Sequence, residues 1–415
     1  MLNVLILNRS RLTKYPFRQW LGPQARLTVL THARGLAEHG AASAAEAADY
    51  DAIHLVDGYD HAPQVEQLAH RLHAERPFDA LLALSEFDVL RAARLREVLG
   101  IPGQRYDSAL AYRDKAVMKD HWRAAGVPAA AHTAVEQVSD LLAAADDWGY
   151  PLVVKPRLGS GSTGVAVLRD RAELDDWLDR HWRPGSRDRS PWLAEAFVDG
   201  EMYHLDGVFD GERAEFNWPS ATTPLLAHHR AGALVDVLVD PADPLVPGLR
   251  ELTVRALRAL PGPRWTVFHA EVWRTADGRL LLNEIASRPG GGLIPQTVRA
   301  AFGQCLVERF VRLSVGRDAG PAPLDRPRRA AGFTLLPPRP GEVLDVPPLP
   351  ARFTADPYEE AELTVTPGQW LRPAGTSVDR IASCLAVGRD GAEVAELLGE
   401  FGSWVATRVR IGGPA

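Results

Sequence analysis

The sequence predicts a multidomain α/β and α+β chain with an open, mostly parallel α/β layer first, an antiparallel-sheet core in the middle and a small α+β unit last. Three observations carry this. Strand-like and helix-like pieces alternate through residues 1–105; residues 266–292 read as two β-runs joined by Asp277-Gly278; and from about residue 320 the texture changes to short strands between Pro and Gly turns. At 415 residues the chain is too long for one ordinary core, and its length alone suggests about two to four domains.

Composition narrows the class. An apolar fraction of 46% and a charged fraction of 24% are those of a water-soluble globular protein, and no apolar run approaches the ~18 residues of a membrane span. MLNVLILNRS has no basic leader before its apolar run and reads as a first buried strand, so a cytoplasmic location is expected. Cys305 and Cys384 are too few for a disulfide framework or a thiolate metal cluster, which agrees with a reducing compartment. A net charge of −6 without long basic runs argues against nucleic acid or a membrane surface as partner. Lysine occurs only at positions 14, 115, 119 and 155, against 43 arginines. In such a chain a retained lysine suggests a site that wants a compact point charge.

In the first layer LNVLIL, ARLTVLT, AIHLVDG and FDALLAL are the strands, and the absence of G-x-G-x-x-G after the first makes a dinucleotide site there unlikely. SEFDVLRAARLREVLGIPG reads as a helix closing at Gly100. YRDKAVMKDHWRAA, residues 112–125, reads as a further helix with Lys115 and Lys119 on one face. PLVVKP is then a short strand bearing Lys155, and Gly159, Ser160, Gly161, Ser162, Thr163 and Gly164 turn the chain back into VAVL. Successive backbone N–H groups in such a loop form an anion-binding nest, to which the hydroxyls and the preceding lysine add. It is not a Walker A loop, because no Lys-Ser or Lys-Thr follows the last glycine. Residues 192–211 read as two strands around Asp199-Gly200. The pair His228-His229 lacks a spaced third ligand and is read as a solvated or hydrogen-bonded feature in place of a zinc site. Helices are expected over 249–260 and 298–315, and AEVAELLGEFGSWVA closes the chain. Lys14 falls in a loop of the first layer, outside any motif.

The central stretch is VFHAEVW, a turn at Asp277-Gly278, and RLLLNEI. A two-residue loop there sets Glu271 opposite Glu284 on one face. Two facing carboxylates about 5 Å apart repel unless something positive joins them, and a carboxylate-only site suits a hard divalent cation such as Mg²⁺, usually with substrate phosphates. The alternatives are two solvated glutamates on a surface hairpin, or a one-residue slip that parts the pair. Arg288, four residues past Glu284, and Pro289-Gly290-Gly291-Gly292, where backbone can approach a ligand closely, favour the ligand-binding reading. His269 shares the strand parity of Glu271 and so faces the same cleft, to contact substrate, assist deprotonation of an amine, or hold the site in shape.

Taken in order, these pieces resemble the ATP-grasp superfamily, and within it the L-amino acid ligases and related carboxylate–amine ligases. The resemblance runs over essentially the whole chain: an N-terminal α/β domain 1–105, a linker helix 106–126 with Arg113-Asp114-Lys115, a mobile lid subdomain 127–195, a core subdomain 196–320 with AEAFVDGE and EIASRPGGG, and a C-terminal amino acid ligase-like subdomain 325–415. It implies that Lys115 and Lys155 hold the α and β phosphates of ATP and that residues 159–164 close over the β and γ phosphates. It assigns the hinge Glu195, Ala196, Phe197 and Val198 to adenine through backbone groups, and Glu201 to the ribose. Glu271 and Glu284 match ligands of Mg²⁺, or of Mn²⁺ in its place, and Arg288 the arginine that steadies the transferred phosphoryl group and the substrate carboxylate. Many relatives carry Asn where this chain has Ala286, so a second metal would rest on Glu284 and phosphate oxygens. The implied activity is ATP-dependent amide formation between small amino acid-like substrates through an acyl phosphate, releasing ADP and phosphate. The partners are small-molecule carboxylate and amine substrates, with a homodimer as an assembly the resemblance allows. A biotin carboxylase-like or purine-pathway enzyme and a nucleotide-binding module without turnover are the competing readings.

Overall fold

The computed structural model describes residues 1–32, 48–182, 191–223 and 232–413. The first sheet is parallel, with strands β1 (Asn3–Leu7), β2 (Arg26–Thr31), β3 (Ala52–Leu55) and β4 (Ala80–Ala83) in the order β3-β2-β1-β4. Every residue of β1 is buried, as expected for an apolar strand covered on both faces. Helices α1 (Phe17–Leu21), α2 (Gln64–Glu75) and α3 (Val89–Leu99) accompany it, and α3 stops where Gly100 turns left-handed at φ 68°.

The helix expected over 112–125 is two helices, α4 (Tyr106–Arg113) and α5 (Lys115–Ala124). Asp114 is extended between them, and its carboxylate accepts from the N–H groups of Ala116 and Val117. An N-capping aspartate explains the break, because its side chain satisfies donors that an uninterrupted helix would bond internally.

The second sheet holds β5 (His132–Val135), β6 (Leu152–Pro156), β7 (Ala166–Leu168) and β8 (Trp192–Ala196), all antiparallel, in the order β5-β8-β6-β7. Helices α6 (Val138–Trp148) and α7 (Arg171–His181) pack Leu141, Leu174 and Trp177 against it. The two strands expected around Asp199-Gly200 are β8 and β9 (Gly200–Phe209), but they do not pair. They belong to different sheets, and residues 197–199 cross between them.

The largest sheet has eight strands. With β10 (Ala214–Thr222), β11 (Leu234–Leu238), β12 (Thr266–Thr275), β13 (Leu280–Ala286), β14 (Ala330–Leu336), β16 (Tyr358–Leu363) and β18 (Ala382–Gly388), its order is β13-β12-β9-β10-β11-β14-β18-β16. The C-terminal strands thus continue the central sheet. A small sheet of β15 (Gly341–Asp345), β17 (Trp370–Leu371) and β19 (Arg410–Ile411) lies beside them. Helices α8 (Leu245–Ala259), α9 (Ile294–Phe302) and α10 (Leu306–Ser314) flank the sheet; Gly303, left-handed at φ 75°, divides the helix expected over 298–315. Val307 and Val311 of α10 pack into the core of the first layer with Tyr15, Phe17 and Trp20, tying that layer to the central sheet. Helix α11 (Gly391–Arg408) closes the chain. Among the described residues no helix is long and apolar enough to cross a membrane.

Candidate active site

The β12–β13 hairpin reaches the expected pairing by an unexpected route. Its loop has three residues, since Thr275 N–H donates to Arg279 O and Gly278 adopts φ +84°. This shifts the register by one, so Arg274 faces Leu280. A bulge at Asn283 then shifts it back: Val272 faces Leu282, and the next pair is Glu271 with Glu284. The bulge also re-aims Asn283. Its amide donates to Glu271 Oε2 at 2.6 Å and accepts from Lys155 Nζ at 3.2 Å. Asn283 is a site residue that alternation in the sequence could not reveal, because in a regular strand it would point away from Glu284.

Two lysines converge on these carboxylates. Lys115 Nζ lies 3.1 Å from Glu284 Oε2 and donates to Gly159 O at 2.7 Å. Lys155 Nζ lies 2.8 Å from Glu195 Oε2, and Lys119 Nζ forms an ion pair at 3.1 Å with the other Glu195 oxygen. Burial works to raise the Glu284 pKa, but Lys115 and then Lys155 overcome it and hold the carboxyl at about 2. Burial works to lower the Lys155 pKa, yet Glu195 and Glu284 leave it raised, so this ammonium stays charged. The Asp114 break positions Lys115: its N–H donates to Arg157 O, Arg157 is bidentate to Asp114 at 2.9 and 2.8 Å, and Arg113 donates to Leu158 O. Beyond lies the glycine loop. A Cβ on Gly159 would come within 3.2 Å of Pro156 and one on Gly164 within 2.9 Å, so the turn requires both glycines, and Ser162 holds a left-handed φ of 61°.

On the other side of Glu284, Arg288 pairs with Glu86 at 2.5 Å, and Glu86 also pairs with Arg113 at 2.6 Å. Burial opposes the Glu86 charge, but Arg288 and Arg113 prevail and depress its pKa. His269 faces Glu271, as its parity predicts, with Nε2 3.9 Å from Oε1 and Nδ1 3.1 Å from Asp206 Oδ1. Asp206 in turn bonds His204 Nδ1 at 2.7 Å, and His204 Nε2 makes a short bond to Asp236. Although burial disfavours its charge, Asp236 and Asp206 raise the His204 pKa well above the usual imidazole value. Gly290 lies directly on this network; a Cβ there would meet Asp206 Oδ1 at 2.5 Å. These three network residues, Glu86 and Asn283 carried no motif in the sequence.

Residues 114–200 match the family model "Carbamoyl-phosphate synthase L chain, ATP binding domain", and residues 333–403 match "L-amino acid ligase C-terminal domain 2". An L-arginine-specific L-amino acid ligase of Bacillus subtilis is 29% identical over 307 residues, covering 72% of each chain. The solved L-amino acid ligase of Bacillus licheniformis superposes over 100% of this chain and 99% of its own, with a TM-score of 0.78 at 16% identity. The biotin carboxylase domain of a Hydrogenobacter thermophilus 2-oxoglutarate carboxylase, solved with MgADP and bicarbonate, gives 0.72 at 17% identity over 99% and 90% of the two chains. The chain has the fold of the ATP-grasp ligases and resembles the L-amino acid ligases among them.

The donor set fits what an ATP-grasp site must hold. Glu271 and Glu284 offer only oxygen, which suits Mg²⁺, while the cradle that Cβ atoms would fill at 159–164 and the two buried lysines suit a polyphosphate. Other sequence-assigned residues are placed less tightly. The Glu195 side chain is locked between Lys119 and Lys155 and its backbone lies within the sheet, where β8 pairs with both β5 and β6; Phe197, at the crossing between sheets, is 38% exposed. Glu201 lies opposite Arg274, with its carboxylate at 2.8 Å from that guanidinium and 3.2 Å from the Tyr203 hydroxyl. His228 and His229 lie outside the described residues.

One neighbour of the glycine loop was not expected. Residues 375–379 of the C-terminal part contact the glycine loop: Ser377 N–H donates to Gly161 O at 3.2 Å, and the Thr163 hydroxyl to Gly375 O at 3.3 Å. Asp379 holds that segment, accepting from Gly375 N, Thr376 N and Thr376 Oγ1 at 2.7, 3.0 and 2.8 Å.

Proposed function

We infer that this ATP-grasp ligase activates a small carboxylic acid with ATP as an acyl phosphate and passes the acyl group to the amine of an amino acid-like substrate, releasing ADP and phosphate. The observation that carries the reading is the facing pair Glu271 and Glu284, set between Lys115 and Lys155 on one side and Arg288 on the other. Attack of a carboxylate on a γ-phosphate brings two anions together, so cations must offset the developing charge. Glu271 and Glu284 are the residues that would hold Mg²⁺, which supplies Lewis-acid neutralisation of the phosphate oxygens; Mn²⁺ meets the same donors. Lys115 and Lys155 hold the α and β phosphates, and residues 159–164 cover the terminal ones. Residues 195–198 receive adenine and Glu201 the ribose hydroxyls. Arg288, kept charged and oriented by Glu86, faces the transferred phosphoryl group and the acid. His269 donates its Nδ1 proton to Asp206, which leaves Nε2 toward Glu271 as the group placed to take a proton from the attacking amine. Residues 127–195 act as a lid that keeps water from the acyl phosphate. The chain works as a cytoplasmic enzyme, with a homodimer as its assembly.

The test is hydroxylamine trapping. With the correct acid, ATP and Mg²⁺, a hydroxamate forms in place of the amide, and ADP and phosphate appear in equal amounts. Pyrophosphate during turnover, or ADP formation with acid and hydroxylamine but no hydroxamate, would rule the route out.

A further inference from the structure

The glycine loop is shut on the site it covers. Lys115 and Lys155 are each 6% exposed, and Lys115 Nζ, beside Glu284, donates to Gly159 O at the head of the loop. With that carbonyl on the ammonium, a polyphosphate reaches Lys115 only when the loop gives way. The turn can yield, because Gly161 and Gly164, at φ 59° and 74°, are residues whose backbone moves between conformations at little cost.

What the loop lies against is firmer. Residues 375–379 run between β17 and β18, and Asp379 pins them through the bonds it accepts from Gly375 N, Thr376 N and Thr376 Oγ1. This segment holds the loop at two points, Ser377 N–H to Gly161 O and Thr163 Oγ1 to Gly375 O. The two pack so closely that an ideal Cβ on Gly161 would stand 3.5 Å from Thr376 Cβ. The same segment touches a second part of the cleft: Val378 Cγ1 comes within 3.3 Å of where a Cβ on Gly291 would sit, three residues past Arg288. One short stretch of the C-terminal part thus bridges the glycine loop and the turn that follows Arg288.

Resting on the ligase reading above, we propose that residues 375–379 are a latch on which the glycine loop closes over ATP, and that Val378 ties this closure to the filling of the acid site at Arg288. An open and a closed loop are the two states, and the bonds to Ser377 and Gly375 favour the closed one. An acid held by Arg288 orders residues 289–292 with it, and through the contact of Gly291 with Val378 it steadies the segment that receives the loop. ATP and acid then bind cooperatively, because both bias the same two-state element.

The experiment has two arms. In the first, Gly161→Cys with Thr376→Cys puts two thiols at the short end of the ~3.5–4.5 Å Cβ separation that a disulfide spans. Oxidised before ATP is added, the stapled protein should take up radiolabelled MgATP at least about tenfold more slowly than the same protein reduced, and dithiothreitol should restore the reduced rate. Equal uptake in both states, or thiols that fail to join under an oxidant, would overturn the proposal. In the second arm, calorimetry gives the affinity for a non-hydrolysable ATP analogue with Mg²⁺, with and without the common amino acid from which wild type makes most ATP-dependent hydroxamate. Wild type should gain roughly fivefold or more from the amino acid. Val378→Gly should bind the analogue alone within about twofold of wild type and lose most of that gain. No gain in wild type, or a gain that survives in Val378→Gly, would equally overturn it. Absence of hydroxamate with every amino acid strikes the ligase reading itself, and the first arm still decides whether the loop closes on this latch.

Discussion

Glu284→Gln and Glu271→Gln should part company in the metal-free protein. On the sequence alone the two glutamates repel, and neutralising either would leave the fold as stable or more so by up to about 1 kcal/mol. The structure changes this for Glu284. Its carboxyl is held at about 2 against a usual 4.5, chiefly by Lys115 and Lys155 working against burial. That difference corresponds to roughly 3 kcal/mol of interaction favouring the charged form. The depressed value is already net of burial and of the carboxylate opposite, so Glu284→Gln should cost on the order of 3 kcal/mol. Among the described residues Glu271 has no lysine in contact; it accepts from the Asn283 amide, a bond that a glutamine oxygen can also accept. Glu271→Gln should therefore stay within about 0.5 kcal/mol of wild type. Both variants should lose turnover and most of the Mg-ATP-dependent stabilisation, since a ligand raises stability only in proportion to its binding to the folded state.

The measurement is thermal and urea unfolding of the three proteins with and without Mg-ATP, alongside hydroxamate formation. Because the folded-state pKa of Glu284 is depressed, its contribution is complete above the unfolded value of 4.5 and disappears as pH falls from there toward about 2. The gap between wild type and Glu284→Gln should accordingly be flat near neutrality and narrow only below about pH 5. A metal-free Glu284→Gln protein as stable as wild type would refute the lysine pairing. Full Mg-ATP stabilisation in either variant would refute the metal assignment.

Other outcomes follow from the same geometry. Lys155→Ala should abolish the Mg-ATP shift and raise KM for ATP at least tenfold, because Lys155 bridges Glu195 and Asn283 beside the glycine loop; an unchanged KM in an ADP-release assay would count against it. His204→Gln leaves Asp206 and Asp236 buried without their shared cation and should cost roughly 3–5 kcal/mol in urea unfolding at neutral pH. In wild type the raised His204 pKa gives stability that is complete below the usual 6.5 and fades as pH rises through the folded-state value, so the variant's deficit should shrink in strongly alkaline solution; a deficit independent of pH there would contradict the pairing. Asp379→Ala unties the segment that contacts Gly161 and Thr163, and should raise KM for ATP severalfold while leaving the melting temperature of the ligand-free protein within about 2 °C.

What the sequence made legible was local. Parity on one strand placed His269 with Glu271, and a glycine run after a lysine-bearing strand placed the tight turn at 159–164, because both depend on neighbours in the chain. The facing of Glu271 and Glu284 came out as expected only because a longer loop and a bulge cancel, and no local pattern encodes a bulge whose extra residue is fixed by bonds to Lys155, 128 positions away. The same limit hid Glu86, His204 and Asp236, whose partners come from other strands or other sheets. It hid the joining of β14, β18 and β16 to the central sheet, which is decided by β11 pairing with β14 across nearly a hundred residues.

Lysine scarcity reached further than any motif, since it needs no knowledge of contacts. Lys115, Lys119 and Lys155 all stand among Glu195 and Glu284, whereas Lys14 lies on an exposed turn. The places of the first three are crowded by other charged groups. A guanidinium there would demand a planar slot and several acceptors at once, whereas an ammonium needs only a short approach to one oxygen. If that is why these three lysines persist against 43 arginines, Lys→Arg at 115, 119 and 155 should damage folding or ATP use, while Lys14→Arg, on an exposed turn, should be tolerated best. Melting and ADP release across the four single variants decide it. Uniform tolerance of arginine would mean that the scarcity reflects composition and not the demands of the site.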